Sequence, residues 1–397
     1  MHTDICVIGN GTIGKTTALG LAQAGYRVSL LCPPPSPAAK AAAVSAAWDL
    51  RVYALNDVAR DVLTSLKVWD ALDADRVAPV DGMVVIGDGA HAGKIEFDAY
   101  GAHVAALAWI VEHRNLDQAL DAALRFSRDV TLVTGSAAAL HVEANLARVD
   151  LVDGSCLTAA LVIGADGAHS WVRNHADIGI DYRPYDQRAV VSNFECSVAH
   201  QGVAYQWFTA TEGIIALLPL AGQRVSLVWS APDALAATLM SESPSQLAAR
   251  LTALPDQPFG QLQPMQPERV QAIPLALIRA HQFVAPRIAL LGDAAHAVHP
   301  LAGHGMNLGF GDVAALLRAL SGDDASRDCG DARLLAAYAR SRKEEVLMMQ
   351  VATDGLQRLF STQFEPLRIV RNLGLNLLNK LPVIKRRLMS HAAGGIK

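Results

Sequence analysis

The stretch Asp4-Ile5-Cys6-Val7-Ile8-Gly9-Asn10-Gly11-Thr12-Ile13-Gly14 decides the fold. Asp4 to Ile8 reads as a short buried strand, and Thr16 to Ala24 as a helix with Gly25 at its C-terminal cap. Arg27 to Leu31 reads as the next strand. Strand, turn, helix and strand within about thirty residues make a parallel-sheet unit. The turn matches G-x-G-x-x-G through Gly9, Gly11 and Gly14. In that setting Gly9 permits the tight turn, Gly11 lets a pyrophosphate approach the backbone, and Gly14 lets helix and strand pack closely. The amides of Thr12 and Ile13 would then face the phosphates at a helix N-terminus. The reading is a dinucleotide site. One expected feature is missing. An acidic residue ordinarily ends the second strand and holds the adenosine ribose, but here the strand runs Leu30-Leu31-Cys32-Pro33. Asp49 comes only after the break at Pro33-Pro34-Pro35-Ser36-Pro37.

Two further motifs follow strands. Arg287 to Leu291 ends in Gly292-Asp293-Ala294-Ala295-His296, so Asp293 would present a carboxylate in a crevice and accept hydrogen bonds from sugar-alcohol hydroxyls. Alone, Asp293 also reads as a helix N-cap. Pro300, Gly303, Gly305 and Asn307 come just ahead of a helix expected over Leu308 to Leu320, and that loop could lay its amides against a flat, electron-accepting ring. The third motif is Gly164-Ala165-Asp166-Gly167-Ala168-His169-Ser170, with Val172-Arg173 behind it. By itself it reads as a turn with a capped helix.

The 397 residues are 51% hydrophobic and 18% charged, which excludes a disordered chain. At about 150 residues per domain, two or three domains are expected. Apolar runs such as Ala159 to Ile163 and Ile214 to Leu218 fall far short of the ~18 residues that span a membrane. No basic, signal-like segment precedes the first strand, so a cytoplasmic protein is expected. The five cysteines include no C-x-x-C pair, which argues against a disulfide framework or a metal site. A net charge of −4 gives no reason to expect nucleic acid.

Along the chain, Asn56 to Leu66 reads as a helix, and Met83 to Ile86 and Lys94 to Phe97 as strands. Trp109 to Leu124 reads as an amphipathic helix with Leu116, Ala119, Leu120, Ala123 and Leu124 on its apolar stripe. Thr131 to Val133, Leu140 to Glu143, Ala147 to Leu151 and Ala160 to Ile163 are further strands. From Ala189 to Ala231, apolar runs separated by turn residues suggest antiparallel strands. Residues 233–254 read as helix interrupted near Pro244, and Leu334 to Arg358 as a long helix. The fold class is therefore α/β. A Rossmann-like nucleotide domain (1–72, 100–180 and 283–345) holds an inserted, mainly antiparallel substrate domain (73–99 and 181–282), with a helical C-terminal region over 346–397.

The three motifs in this order resemble those of the class A flavoprotein monooxygenases, whose fold is that of p-hydroxybenzoate hydroxylase. A narrower resemblance is to the ubiquinone-biosynthesis hydroxylases, through Asp49-Leu-Arg51-Val-Tyr-Ala-Leu-Asn56, the run Gly292 to Gly309 and the tail segment Phe364 to Leu375. The resemblance implies FAD as cofactor, NAD(P)H as electron donor, and transfer of one oxygen atom from O2 to an aromatic ring through a flavin C4a-hydroperoxide. The substrate it implies is a polyprenyl phenol. It places Gly9, Gly11, Thr12, Ile13, Gly14, Arg51, Arg114 and Asp166 near the flavin nucleotide. Asp293 would meet the ribityl chain, and Pro300 through Gly303, Gly305, Met306 and Asn307 would border the isoalloxazine. Cys32 stands where the family has Glu, and His304 where Gln is common.

His299 is singled out among 13 histidines because it precedes Pro300 in the presumed flavin loop; the two are candidates for the substrate side. Tyr205 and Trp207 read as core or pocket wall. The cofactor carries this chemistry, which explains why no nucleophile, triad or metal cluster stands out. Competing readings are a reductase or dehydrogenase of the same superfamily and a non-catalytic FAD scaffold in a biosynthetic complex. The tail is electrostatically distinct: residues 366–397 carry Arg368, Arg371, Lys380, Lys385, Arg386, Arg387 and Lys397 and no acidic residue. Leu367, Val370, Leu373 and Leu377 recur at helical spacing there. That combination fits peripheral contact with the inner face of a membrane or with a complex, and equally a packed helix with a solvated basic face.

Overall fold

The computed structural model describes residues 1–34, 48–88, 92–265, 269–321 and 328–361. Its first sheet runs β18 (Val284–Ala285), β19 (Ile288–Leu290), β11 (Cys156–Gly164), β1 (His2–Ile8), β2 (Val28–Cys32), β8 (Val130–Thr134). From β19 to β8 every pairing is parallel. β10 (Ala147–Leu151) adds to β11 antiparallel and carries β9 (Ala137–Val142). Ile5, Cys6, Val7 and Leu30 are fully buried because helices cover the sheet, which is why these strands read as continuous apolar runs.

The helix α1 (Thr12–Gln23) starts directly after Gly11, four residues earlier than the apolar pattern alone suggests. Gly25 follows it at φ +92°, as the C-terminal cap requires. α1 packs on α4 (His113–Phe126) and α8 (His304–Leu320). α2 (Asp57–Ser65) is capped by Asn56, whose side chain accepts from the Ala59 amide.

The helix expected from Trp109 is corrected. β7 (Ala108–Glu112) is a strand between β3 (Val52–Leu55) and β4 (Val77–Val80), and α4 begins at His113. The physical reason is that Trp109, Ile110 and Val111 are all buried and hydrogen-bonded on both edges, which a one-sided helix would not permit. The expected stripe survives beyond it, with Leu116, Ala119, Leu120 and Leu124 buried.

The second large sheet runs β20 (His296–Ala297), β17 (Gln271–Ala280), β12 (Ile180–Cys196), β15 (Arg224–Pro232), β14 (Gly213–Leu220), β13 (Val203–Thr209), β5 (Gly82–Ile86), β6 (Lys94–Asp98), with β16 (Leu262–Pro264) on β12. All pairings are antiparallel except β13 with β5. Its central strand, β12, has 17 residues and begins well before Ala189. Pro184 and the charged residues around it hide that half of the strand, and the register with β17 shifts between Pro184 and Arg188. Trp207 is buried here and donates to the Pro255 carbonyl, and Tyr205 stacks on it. α3 (Ala99–Ala102), α5 (Trp171–His175), α6 (Asp233–Ser241) and α7 (Pro244–Thr252) are short, and the break before Pro244 falls where expected. α9 (Ala332–Ser361) is the last described element. Among the described residues no helix is long and apolar enough to cross a membrane. The basic tail lies outside the described residues.

Candidate functional site

The three motifs converge at the C-terminal ends of β1, β11 and β19. Gly9 sits at φ +114° against the third motif: a Cβ there would lie 2.3 Å from the Ala165 carbonyl oxygen. A Cβ on Gly14 would lie 1.8 Å from the Gly9 oxygen. Both glycines are demanded by the chain itself. Gly11 is different. Its backbone is ordinary extended, φ −71° and ψ 175°, and a Cβ would meet nothing within 4 Å. No side chain caps α1, whose N-cap is Gly11. Thr12 Oγ1 is buried and has no hydrogen-bond partner among the described residues. The helix end thus opens beside Gly11 with its dipole unanswered.

The second motif rests on the first. Gly292, at φ +58°, approaches Ile13, and a Cβ on Gly309 would lie 2.8 Å from Ile13 Cδ1. Asp293 follows in a single helical turn and makes no cap bond, which disposes of the N-cap alternative. Its side chain is accessible at the surface, yet protein encloses it closely enough that burial lifts its carboxyl above the usual range. No group among the described residues hydrogen-bonds it. An enclosed, reachable and unpaired carboxylate is one that a hydroxyl-bearing ligand would satisfy.

Asp166 uses both carboxylate oxygens within the chain. It accepts from Ser170 Oγ at 2.5 Å and from the Val172 amide at 3.0 Å, at the start of α5. Its approach to the Gly-rich turn is through backbone, where Gly9 seats against Ala165 and Asp166.

Arg51 is exposed and enters β3 from a segment held on several sides. Glu112, 1% exposed, accepts from the Asp49 amide at 2.6 Å and from Arg76 Nη1 at 3.1 Å. Asn193 Nδ2 donates to the Asp49 carbonyl at 2.8 Å, and the His113 amide donates to the Arg51 carbonyl at 3.0 Å. Tyr53 Oη lies 3.0 Å from His113 Nδ1. Burial pushes the Tyr53 phenol up to about 12 and holds His113 below its usual value, so the pair is neutral at neutral pH. Arg114 stands half-buried on the first turn of α4. Lys15 does not face the phosphate side as a free cation, since it pairs with Asp117 and Asp121 at 2.6 Å each. Glu112, Asn193 and His113 carry no motif signal, and Tyr53 lies unremarked within the run Asp49 to Asn56. At the end of β2, Cys32 is half-buried, burial raises its thiol, and its Sγ lies 3.6 Å from the Leu30 carbonyl.

The loop ahead of α8 is more helical than the sequence suggests. Leu301–Gly303 forms a single turn, and α8 begins at His304, so Gly305, Met306 and Asn307 occupy its first turn. Gly303 has φ +69°, and a Cβ there would press on Ala54 at 2.9 Å. Asn307 is engaged internally: Oδ1 accepts from the Asn56 amide at 3.0 Å and Nδ2 donates to the Ala54 carbonyl at 2.8 Å. It staples β3 to α8. The His304 side chain lies outside what is described.

His299 is 1% exposed, with Pro300 half-buried beside it. Its Nε2 lies 3.0 Å from Gln187 Oε1, and because an amide oxygen only accepts, Nε2 carries the proton. Nδ1 is then a buried acceptor with no partner among the described residues. The Tyr185 ring meets it edge-on, with centroids 4.9 Å apart. Burial lowers its pKa to about 4, so it is neutral at neutral pH. The unfolded chain therefore binds this proton more tightly, and stability is lost as pH falls from about 6.5 to about 4. The full loss attached to this residue is about 3 kcal/mol. His299→Gln should flatten melting temperature against pH across that window, and thermal scans of both proteins check it. Parallel slopes would show that another group carries the dependence.

A family model described as an FAD binding domain matches residues 2–351. The 3-demethoxyubiquinol 3-hydroxylase of Escherichia coli is 36% identical, over 99% of this chain and 98% of its own. Ubiquinone hydroxylase UbiL of Rhodospirillum rubrum is 33% identical, over 99% of this chain and 90% of its own. The crystal structure of PqsL from Pseudomonas aeruginosa shares the fold, with a TM-score of 0.76 at 23% identity, over 94% of this chain and 99% of that one. The chain belongs to the FAD binding domain family of aromatic monooxygenases, the family that holds these ubiquinone hydroxylases.

Proposed function

We propose that the protein hydroxylates the aromatic ring of a prenylated phenol on the route to ubiquinone, using NAD(P)H and O2. The observation that carries the substrate class is end-to-end likeness to a demethoxyubiquinol hydroxylase, at 36% identity over 99% of the chain. FAD, when bound, supplies the oxygen-activating chemistry. The fit of this chain to FAD rests on the open face of Gly11, the orphaned Thr12 hydroxyl and the unpaired Asp293 carboxylate. In this reading Gly9, Gly11, Thr12, Ile13 and Gly14 cradle the pyrophosphate, with Arg51 and Arg114 beside it. Asp166 shapes the turn through backbone. Asp293 accepts from ribityl hydroxyls. Gly303, Gly305 and Met306 border the ring, while Asn307 fixes that border to β3. His299, with its proton on the Gln187 side, offers an acceptor rather than a proton to transfer.

Anaerobic reduction by NADH and by NADPH, followed by labelled O2 and candidate prenylphenols, tests the reading. One labelled oxygen per product is expected. Nicotinamide oxidation that transforms substrate without incorporating oxygen would favour a reductase or dehydrogenase. Absence of reducible FAD would favour a scaffold.

The long-tailed substrate class lives in a bilayer, so the same reading assigns the tail to peripheral membrane contact. Each basic residue near an anionic surface contributes on the order of 1 kcal/mol, screened by salt. Neutralising Arg368, Arg371, Lys380, Lys385, Arg386 and Arg387 should abolish salt-sensitive co-sedimentation with anionic vesicles and leave FAD content unchanged. Equal binding of the parent protein to neutral and anionic vesicles would defeat the assignment.

A further inference from the structure

Directly behind the Gly292-Asp293 turn lies a buried charged cluster that the proposed reaction does not use. Asp312, on α8, is 0% exposed, and His296 and Arg342 are each 2% exposed. Asp312 Oδ2 accepts from the Gly292 amide at 2.8 Å and from His296 Nε2 at 2.7 Å. Its Oδ1 accepts from Arg342 Nε at 2.7 Å. Arg342 comes from α9, and it also donates to the Leu308 carbonyl at 3.2 Å and pairs with Glu345. Gly311 leaves room for its guanidinium, since a Cβ there would lie 2.7 Å from Arg342 Nη2. Burial works against ionisation of Asp312, but His296 and Arg342 outweigh it and hold the carboxyl below its usual range.

Such a cluster is weak as a source of stability. A buried ion pair can often be replaced by apolar groups of similar shape without loss. What it does here that an apolar cluster could not is hold one backbone amide. Gly292 stands at φ +58°, and its N–H must be satisfied in that conformation for the next residue to project into the cleft. Asp312 supplies the acceptor, and Arg342 and His296 fix where the acceptor sits.

We propose that Asp312 is a positioning residue for the flavin site: through the Gly292 amide it sets the direction in which Asp293 presents its carboxylate. The proposal rests on the reading of Asp293 as the ribityl partner. It makes α9 part of the site's support, through Arg342.

Two uncharged double variants separate positioning from stability. Asp312→Leu with Arg342→Met keeps the branching of the side chain at residue 312 and removes both charges and the acceptor. Asp312→Asn with Arg342→Met removes both charges but keeps one acceptor oxygen for Gly292. The measurements are the FAD dissociation constant, the bound-flavin absorption spectrum and the melting temperature of the apoprotein. The Leu variant should bind FAD roughly ten-fold more weakly, with a shifted flavin spectrum. The Asn variant should stay within about two-fold of the parent. In an Asp293→Ala background the Leu variant should cost nothing further, because it acts through Asp293. Equal FAD affinity in the Leu and Asn variants, or an undiminished further loss on Asp293→Ala, would overturn the proposal and leave the Asp293 reading standing. Unchanged FAD affinity in Asp293→Ala itself would overturn both. Should the Leu variant not fold, amide exchange decides: the Gly292 N–H should be protected in the parent apoprotein as well as with FAD. Fast exchange without FAD would overturn the proposal.

Discussion

Gly11→Val should yield a folded protein without flavin. The chain itself leaves space at this position, with no atom within 4 Å of a Cβ and a backbone that valine adopts readily. The cost to the apoprotein is that of a poor N-cap, about 1 kcal/mol. The cost to FAD is much larger, because the added branches occupy the side from which a pyrophosphate reaches the amides of Thr12 and Ile13. Loss of those charge-assisted contacts should weaken FAD by at least about a hundred-fold, or ~3 kcal/mol. Gly9→Ala and Gly14→Ala are the contrast. There a Cβ would overlap backbone oxygens at 2.3 and 1.8 Å, so both should damage the fold whether or not FAD is present. Flavin content after purification, an FAD titration and the apoprotein melting temperature distinguish these outcomes. A Gly11→Val protein that purifies yellow with one FAD would show that the pyrophosphate does not lie on this turn.

The contrast also explains which parts of the site were legible in the sequence. A glycine required by ligand and a glycine required by fold look the same in G-x-G-x-x-G, and only the surrounding atoms separate Gly11 from Gly9 and Gly14. The strands β1, β2, β11 and β19 could be read because burial on both faces writes a continuous apolar run. β12 could be read only in its second half, since its first half alternates exposed and half-buried residues around Pro184. Trp109 to Glu112 misled because a strand paired on both edges is as apolar as a helix stripe over that length. Asp166 illustrates a different limit. Its motif read as a turn with a capped helix, and the resemblance put it near the nucleotide, but neither told that Ser170 and Val172 would take its carboxylate. Glu112, Asn193 and Asp312 were illegible for a simpler reason. Each bonds a backbone group distant in sequence, and only the fold brings the two together.

Asp293→Ala should separate stability from cofactor affinity in opposite directions. In the apoprotein Asp293 has no hydrogen-bond partner among the described residues, and enclosure raises its pKa above that of the unfolded chain. The folded form therefore holds this proton more tightly. Ionised Asp293 costs stability above the unfolded pKa, and that cost is relieved as pH falls through the raised folded value. Removing the carboxyl removes the cost, so the variant apoprotein should melt no lower than its parent at neutral pH. FAD should nevertheless bind more weakly, since a hydrogen bond to a charged acceptor is worth roughly 1.5–3 kcal/mol, or about ten- to a hundred-fold in affinity. The acceptor is the ionised form. Parent FAD affinity should accordingly fall on acidification through the raised pKa, and Asp293→Ala should lose that dependence. FAD titrations across pH, paired with apoprotein melting, measure both halves. A variant that loses stability and keeps its flavin would mean that Asp293 serves the fold. A variant that gains or keeps stability while losing flavin would mean that the fold carries an exposed, costly charge for the cofactor's sake.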